Sequence, residues 1–257
     1  ALEDRLKVKL LKRSTQRTTP TELGQLYYER MRHIVEEHAE LEEEMRNGVN
    51  SLIGTLRIAA PVDFGTRFVV PVVRQMQLQS AELNIELMLG SHFENLRENS
   101  IDVAVRIGKL VDSSLVARKL GDVPRVLVAS PEYIKSYGNP RTIEELEHHN
   151  FVLYSHETRR RGIKFEDGQR FCHTKIHSNI TVNSVSAIRE LVLAGAGIHL
   201  GPEWMFKDDI RLGSAVRLLQ NKVLKSYPVH AVYLVRSYLP FKTKEFTRLL
   251  AVALRLS

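Results

Sequence analysis

No stretch constrains this chain more than Thr21–Met45, TELGQLYYERMRHIVEEHAELEEEM. Tyr27, Met31, Ile34, His38, Leu41 and Met45 follow one another at alternating steps of four and three. That is the 3.5-residue repeat of a coiled coil, which keeps a narrow apolar stripe turned toward a partner helix. Thr21 stands where an N-cap belongs, directly after Pro20, which cannot sit inside a helix. Asn47-Gly48 supplies the stop. An amphipathic helix packed on its own globule would show a similar period, but two features favour a second copy. The stripe is about two residues wide per heptad, where core helices show about three. The run Glu36, Glu37, Glu40, Glu42, Glu43, Glu44 also suits a solvated rod. His38 reads as a tolerated polar residue in the seam more than as a pH switch. The expectation is a dimerisation helix over 21–47.

The 257 residues are enough for about two domains, and 43% hydrophobic with 26% charged is ordinary for a globular protein. No apolar run approaches the ~18 residues of a membrane span, and no signal pattern opens the chain. The single cysteine, Cys172, excludes an internal disulfide and suits a reducing compartment, hence the cytoplasm. A net charge of +7 favours an anionic partner.

Ahead of the rod, Ala1–Leu6 reads as the tail of a helix and Lys7–Leu11 as a short strand. Lys12–Thr19 reads as a polar loop carrying Arg13, Ser14, Thr15, Gln16 and Arg17. Cationic and hydroxyl side chains on an exposed hairpin are suited to DNA phosphates, which position a protein and carry little sequence information. A merely solvated basic loop would look the same alone. Coupled to a dimerising rod, two basic tips at a fixed separation could match two half-sites on double-stranded DNA.

The segment ALEDRLKVKLLKRSTQRTTPTELGQ resembles the end of the recognition helix, the wing and the start of the linker helix of LysR-type transcriptional regulators. The pattern rests on Leu2-Glu3, Leu6, Val8, Leu10-Leu11, Arg13, Arg17, Thr21 and Gly24, with Pro20 departing from the family's usual leucine. The resemblance makes residues 1–20 the remnant of a winged helix-turn-helix. With no initiator methionine, the chain is expected to lack that domain's first helices and its base-reading residues.

From residue 52 onward, strand-like and helix-like runs alternate. Strands are expected at Gly54–Pro61, Leu83–Leu89, Ile101–Ile107, Leu115–Leu120 and Arg125–Ala129. Further strands follow at Phe151–Tyr154, Ile176–Val182, Ile198–Leu200, Ala215–Leu219 and Val229–Val235, with a hairpin turning at Asp167-Gly168. Helices are expected after Asp63, at His92–Asn99, Glu132–Tyr137, Ile143–His148, Val185–Ala194 and Lys242–Leu254. Such alternation argues for an α/β fold with a parallel sheet and helices on both faces.

GTLRIAAPVDFG, IDVAVRIGKLVDSSLVARKLGDVPRVLVASPEYI, NSVSAIRELVLAGAGIHLGPEWM and HAVYLVRSYLP resemble the effector-binding domain of the same family, most closely its CrgA-like branch. Ile198-His199-Leu200-Gly201 departs from the small apolar residues more usual there. The resemblance implies a periplasmic-binding-protein-like domain over 52–257, two α/β lobes holding a small-molecule effector between them. Lobe I would be 52–129 with 231–257, lobe II 130–230, and the crossovers would lie near 129–131 and 229–231. Ligands on open α/β sheets bind beyond the carboxyl ends of strands. The expected effector residues are therefore Val62, Asp63, Phe64, Gly65, Thr66, Ser91, Arg106 and Gly108 from lobe I, with Asn183, Ser184, Val185 and Pro202 from lobe II. Helix starts attract anions, which favours a small organic acid. Arg106 could grip its carboxylate, or equally pair with Asp63 or Asp102. Asp63 is awkward beside an anion and favours ligands that are not strongly acidic.

Other chemistry finds little support. His173 and His177 share one side of an extended segment but no third metal ligand has a suitable spacing. His148-His149 ends a helix, where a cation suits the dipole. Cys172 has no second cysteine to resolve it. There is no nucleophile elbow, phosphate loop or HExxH, so no catalysis, cofactor or metal is expected. The sequence therefore reads as a bacterial DNA-binding regulator, a homodimer or homotetramer not bound to membranes. A transport solute-binding protein and an enzyme on the same fold are the alternatives.

Overall fold

The computed structural model of the chain describes residues 2–13, 17–48, 51–90, 96, 99–108, 110, 115–154, 163–167, 170–234 and 239–256. Helix α1 (Leu2–Leu6) leads into a small wing, strand β1 (Leu11–Arg13) antiparallel to β2 (Thr18–Pro20). The expected strand at Lys7–Leu11 begins later, because Lys7 adopts a left-handed turn with φ 54°. Glu3 ties the turn down: its carboxylate accepts the N–H groups of Leu10 and Leu11 at 2.6 and 3.0 Å.

Helix α2 runs over Glu22–Asn47. Thr21 caps it, its hydroxyl accepting the Gly24 N–H at 2.9 Å. Gly48 stops it at φ 92°, a backbone region that L side chains disfavour. The wing and α2 meet closely: Thr21 donates through its N–H to Leu10 and through its hydroxyl to Lys9, both at 2.8 Å. A Cβ on Gly24 would lie 1.9 Å from the Leu10 carbonyl oxygen, so glycine is required there.

Beyond the rod, β3 (Gly54–Ala60) is followed by helix α3 (Val62–Phe64), a π-helical turn (Gly65–Val69) and α4 (Val70–Gln79). In the wide turn the Val70 N–H reaches the Gly65 carbonyl. Pro71, next in line, has no N–H to continue a regular ladder, which accounts for the irregularity. Strands β4 (Leu83–Leu89), β5 (Val103–Ile107), β6 (Leu115–Val123) and the late β15 (Tyr227–Leu234) complete the first sheet, in the order β4-β3-β5-β15-β6. Alternation decides which face each residue serves. Leu56, Ile58, Val103, Val105, Val229 and Ala231 join the core under α4 and the terminal helix α8 (Phe241–Arg255). Ala59, Ala104 and Val232 face the other way, onto Leu96 and Ile101.

The second lobe contains β7 (Arg125–Ala129), α5 (Pro131–Tyr137), a 3₁₀ turn (Glu144–His148) and β8 (Asn150–Leu153). Next come the hairpin β9 (Ile163–Asp167) with β10 (Arg170–Thr174), then β11 (His177–Thr181) and α6 (Val185–Leu193). Strand β12 (His199–Pro202), α7 (Glu203–Leu212), β13 (Val216–Arg217) and β14 (Val223–Leu224) finish it. Val126 and Val128 of β7 serve one core while Leu127 and Ala129 serve the other. Asp209, 3% exposed, accepts two bonds from Arg189 at 2.6 and 2.7 Å and so fastens α7 to α6.

Three expectations are corrected. The sheets are mixed: β15 runs antiparallel to both β5 and β6, because it is the strand by which the chain returns from lobe II. The lobe boundaries also move. Arg125–Ala129 ladders with β12 and β13, hence belongs to lobe II, whereas Tyr227–Leu234 lies wholly in the first sheet. The crossovers therefore fall at Pro124 and at residues 225–226. Finally, Ile143–His148 winds as a 3₁₀ turn, and His149 after it is buried at 7% exposure with Nδ1 3.2 Å from the Tyr133 hydroxyl. Burial lowers the His149 pKa, so it is not the dipole-facing cation expected. The expected helix at 92–99, the turn at Gly168 and the side chains of Cys172 and His173 lie outside the described residues, wholly or in large part.

Candidate functional site: the interlobe cleft

Two crossovers place the lobes face to face, and Arg125 joins those crossovers. Its Nε donates to the Lys225 carbonyl, its guanidinium lies 4.6 Å over the Tyr227 ring, and Nη1 reaches the Tyr227 hydroxyl at 3.4 Å. A planar cation on an aromatic face suits arginine more than lysine. Nearby, Glu203 at the start of α7 donates its N–H to the Pro124 carbonyl at 2.9 Å. Trp204 reaches across to lobe I, its ring edge-on to Phe68 with centroids 5.5 Å apart. The two lobes thus share an apolar contact beside the hinge.

The strand ends and helix starts supply the polar groups. Val62, just past β3, is exposed. Asp63 follows, and its Oδ2 accepts the Val185 N–H at 3.0 Å, a bond between residues 122 apart in sequence and on opposite lobes. Ser184 caps α6, its hydroxyl accepting the Ala187 N–H at 3.3 Å. Tyr154, at the end of β8, faces the same place: burial and then the charge of Asp63 push its phenol pKa up. Asp63, Ser184 and Val185 are therefore brought together as the chain order of strand ends suggests. Tyr154 feels the charge of Asp63 from the end of β8; its place at a strand end was the signal that could have found it.

The remaining expected residues are dispersed. Phe64 turns into the lobe I core at 1% exposure, and Gly65 is buried where a Cβ would strike Leu89 at 2.3 Å. These two shape the turn that carries Asp63. Thr66 donates its hydroxyl to the Val62 carbonyl at 2.9 Å. Arg106 stands opposite His230 on the β5–β15 ladder, and Gly108, at φ 93°, donates its N–H to Pro228 at 2.8 Å. Asp102, one expected partner of Arg106, accepts the Arg57 N–H at 2.9 Å. Asn183 is exposed, and Pro202 pairs with Arg125 beside the hinge. Ser91 lies outside the described residues. His199, the departure noted in the sequence, is fully buried against Phe206 with Nδ1 2.8 Å from the Val152 carbonyl. Burial depresses its pKa to about 4, against the smaller opposing pull of that bond.

At the other end of the chain, Ile34, Leu41 and Met45 are exposed at 56%, 53% and 65%, while Tyr27 and Met31 are partly covered. The His38 side chain is 72% exposed, beside Glu42. Ser14, Thr15, Gln16 and the Arg13 side chain lie outside the described residues; Arg17 stands exposed at the wing. Among the described residues no helix is long and apolar enough to cross a membrane.

A two-lobed α/β binding domain, hinged at paired crossovers and set behind a wing and a long helix, is the architecture of a ligand-responsive regulator. Residues 50–255 match the family described as LysR substrate binding domain. The chain belongs to the LysR-type transcriptional regulators. It is 34% identical over 244 residues to an uncharacterized HTH-type transcriptional regulator of Haemophilus influenzae, covering 94% of this chain and 84% of that one. It is 31% identical to the HTH-type transcriptional activator AaeR of Escherichia coli, over 95% of this chain and 79% of that protein. Among solved structures, CrgA of Neisseria meningitidis superposes with a TM-score of 0.69 at 29% identity, covering 98% of this chain and 86% of that one. These relatives are regulators; the transport and enzyme alternatives are not favoured.

Proposed function

We propose that this regulator works as a dimer or tetramer in the cytoplasm, gripping double-stranded DNA with its wings and answering a small molecule held between its lobes. The carrying observation is the pairing of Asp63 on lobe I with the start of α6 on lobe II, which places polar groups from both lobes at one point of the cleft. A ligand there would touch both lobes at once, and so bind one interlobe arrangement better than another. Differential affinity of that kind is what shifts a quaternary equilibrium.

The outward stripe of α2 (Tyr27, Met31, Ile34, His38, Leu41, Met45) would join two copies. Arg13, Ser14, Thr15, Gln16 and Arg17 would meet phosphates. The supporting feature is the tight junction of wing and helix through Thr21 and Gly24. The test is DNA binding by the full-length regulator across a salt series. Arg13→Ala with Arg17→Ala should weaken binding to every sequence and flatten the salt slope by roughly two, since each lost phosphate contact removes about 0.9. Unchanged affinity and slope would remove the wing from the interface.

A further inference from the structure

Helix α6 carries no acidic residue in its first turn. A helix start holds partial positive charge and unsatisfied N–H groups, and is normally complemented from nearby in sequence. Here Ser184 satisfies the Ala187 N–H, but the negative charge comes from the other lobe: Asp63 Oδ2 takes the Val185 N–H at 3.0 Å. Asp63 reaches this position from the second residue of α3, on a turn fixed by buried Phe64 and Gly65. One carboxylate oxygen is engaged with the helix, and the same charge, after burial, raises the pKa of the Tyr154 phenol.

We propose that Asp63 determines the specificity of the cleft: it is a resident anion at the start of α6, closing that point to carboxylates and presenting an acceptor to ligands that carry a hydroxyl or ammonium donor. This deepens the reading of the cleft as the effector site and rests on it. A ligand carboxylate at Val185 would meet the Asp63 charge at contact distance in a partly desolvated place, where like charges repel strongly. A hydroxyl or ammonium group could instead donate to Asp63 without breaking its bond to Val185. An organic acid can be the effector only with its acid group away from α6. The same bond also ties the lobes to each other, so a donor ligand that leaves it intact would reinforce the arrangement seen here.

The experiment uses the full-length regulator, wild type and Asp63→Ala, with sodium formate as the probe and amide exchange at residues 185–187 as the readout. In the wild type Val185 should exchange slowly and ignore formate. In Asp63→Ala it should exchange about tenfold faster, and formate should restore the protection by refilling the vacated position. Equal exchange in the two proteins, or formate protection in the wild type, would overturn the proposal. Should the alanine variant fail to fold, Asp63→Asn keeps an acceptor and loses the charge. Formate should then perturb the Ser186 and Ala187 amides in that variant alone, and no perturbation would also overturn it. These signals do not depend on DNA binding. If they behave as expected while no cleft ligand alters DNA affinity, the effector reading fails and the role of Asp63 at α6 stands.

Discussion

Helices α2 and α8 are both amphipathic, yet their apolar faces meet different fates. In α8, Phe246, Leu249, Leu250 and Leu254 recur at steps of three, one and four, a broad stripe that disappears against the first sheet. In α2 the seam runs single file, and Ile34, Leu41 and Met45 stay more than half exposed. Apolar burial is worth about 25 cal/mol per Å², so α8 is held by its own chain, whereas the α2 stripe stays uncovered by it. Amphipathicity alone does not separate the two helices; the width of the stripe does.

The comparison can be broken at its strong end first. Phe246→Ala should cost about 3–5 kcal/mol by urea denaturation, the usual penalty for emptying a fully buried aromatic site. A loss below about 1 kcal/mol would mean that α8 is not anchored as described.

Acid offers a second, smaller lever on the interior. His199 has its folded pKa depressed to about 4, below the 6.5 of an unfolded histidine, so the unfolded chain binds the extra proton between those values. Stability contributed by neutral His199 is present above pH 6.5 and is lost as pH falls toward 4, at up to about 1.4 kcal/mol per pH unit. His199→Asn can keep a donor to the Val152 carbonyl without titrating, and should flatten that part of the profile. An unchanged slope would assign the acid loss to other groups.

The smallest effect on folding is expected on α2. Ile34→Glu with Leu41→Glu should leave the unfolding free energy of the lobes within about 0.5 kcal/mol, as surface substitutions do. The mass by light scattering should nevertheless drop to that of one chain. An intact dimer would show that the stripe is not the seam.

What the sequence disclosed was whatever repeats locally. The rod, its Thr21 cap, the Gly48 stop and the strands at Gly54–Ala60 and Leu83–Leu89 follow from spacing over a few residues. Lobe membership did not follow. Arg125–Ala129 alternates the same way in either lobe, and only its ladders to His199–Pro202 and Val216–Arg217 place it in the second. The expected crossover near 129–131 is instead the start of α5, where Ser130 caps Tyr133; it marks the end of a strand and not a boundary between lobes. The direction of β15 was hidden for the same reason, since orientation depends on partners far away in the chain. At the cleft, strand ends and helix starts singled out Asp63, Ser184 and Val185, which the fold brings to one place. That they bond to one another across 122 positions is a fact of packing that no local pattern encodes.

Gly24 carries one last implication. With its backbone against Leu10 and Thr21 tied to Lys9 and Leu10, the wing has no slack relative to the first turn of α2. The two form a crank and its handle: a turn of the shaft carries Lys9 and Leu10 with it. Gly24→Val would press a side chain onto the Leu10 carbonyl and should loosen that joint, read as faster amide exchange at Thr21 and Leu11.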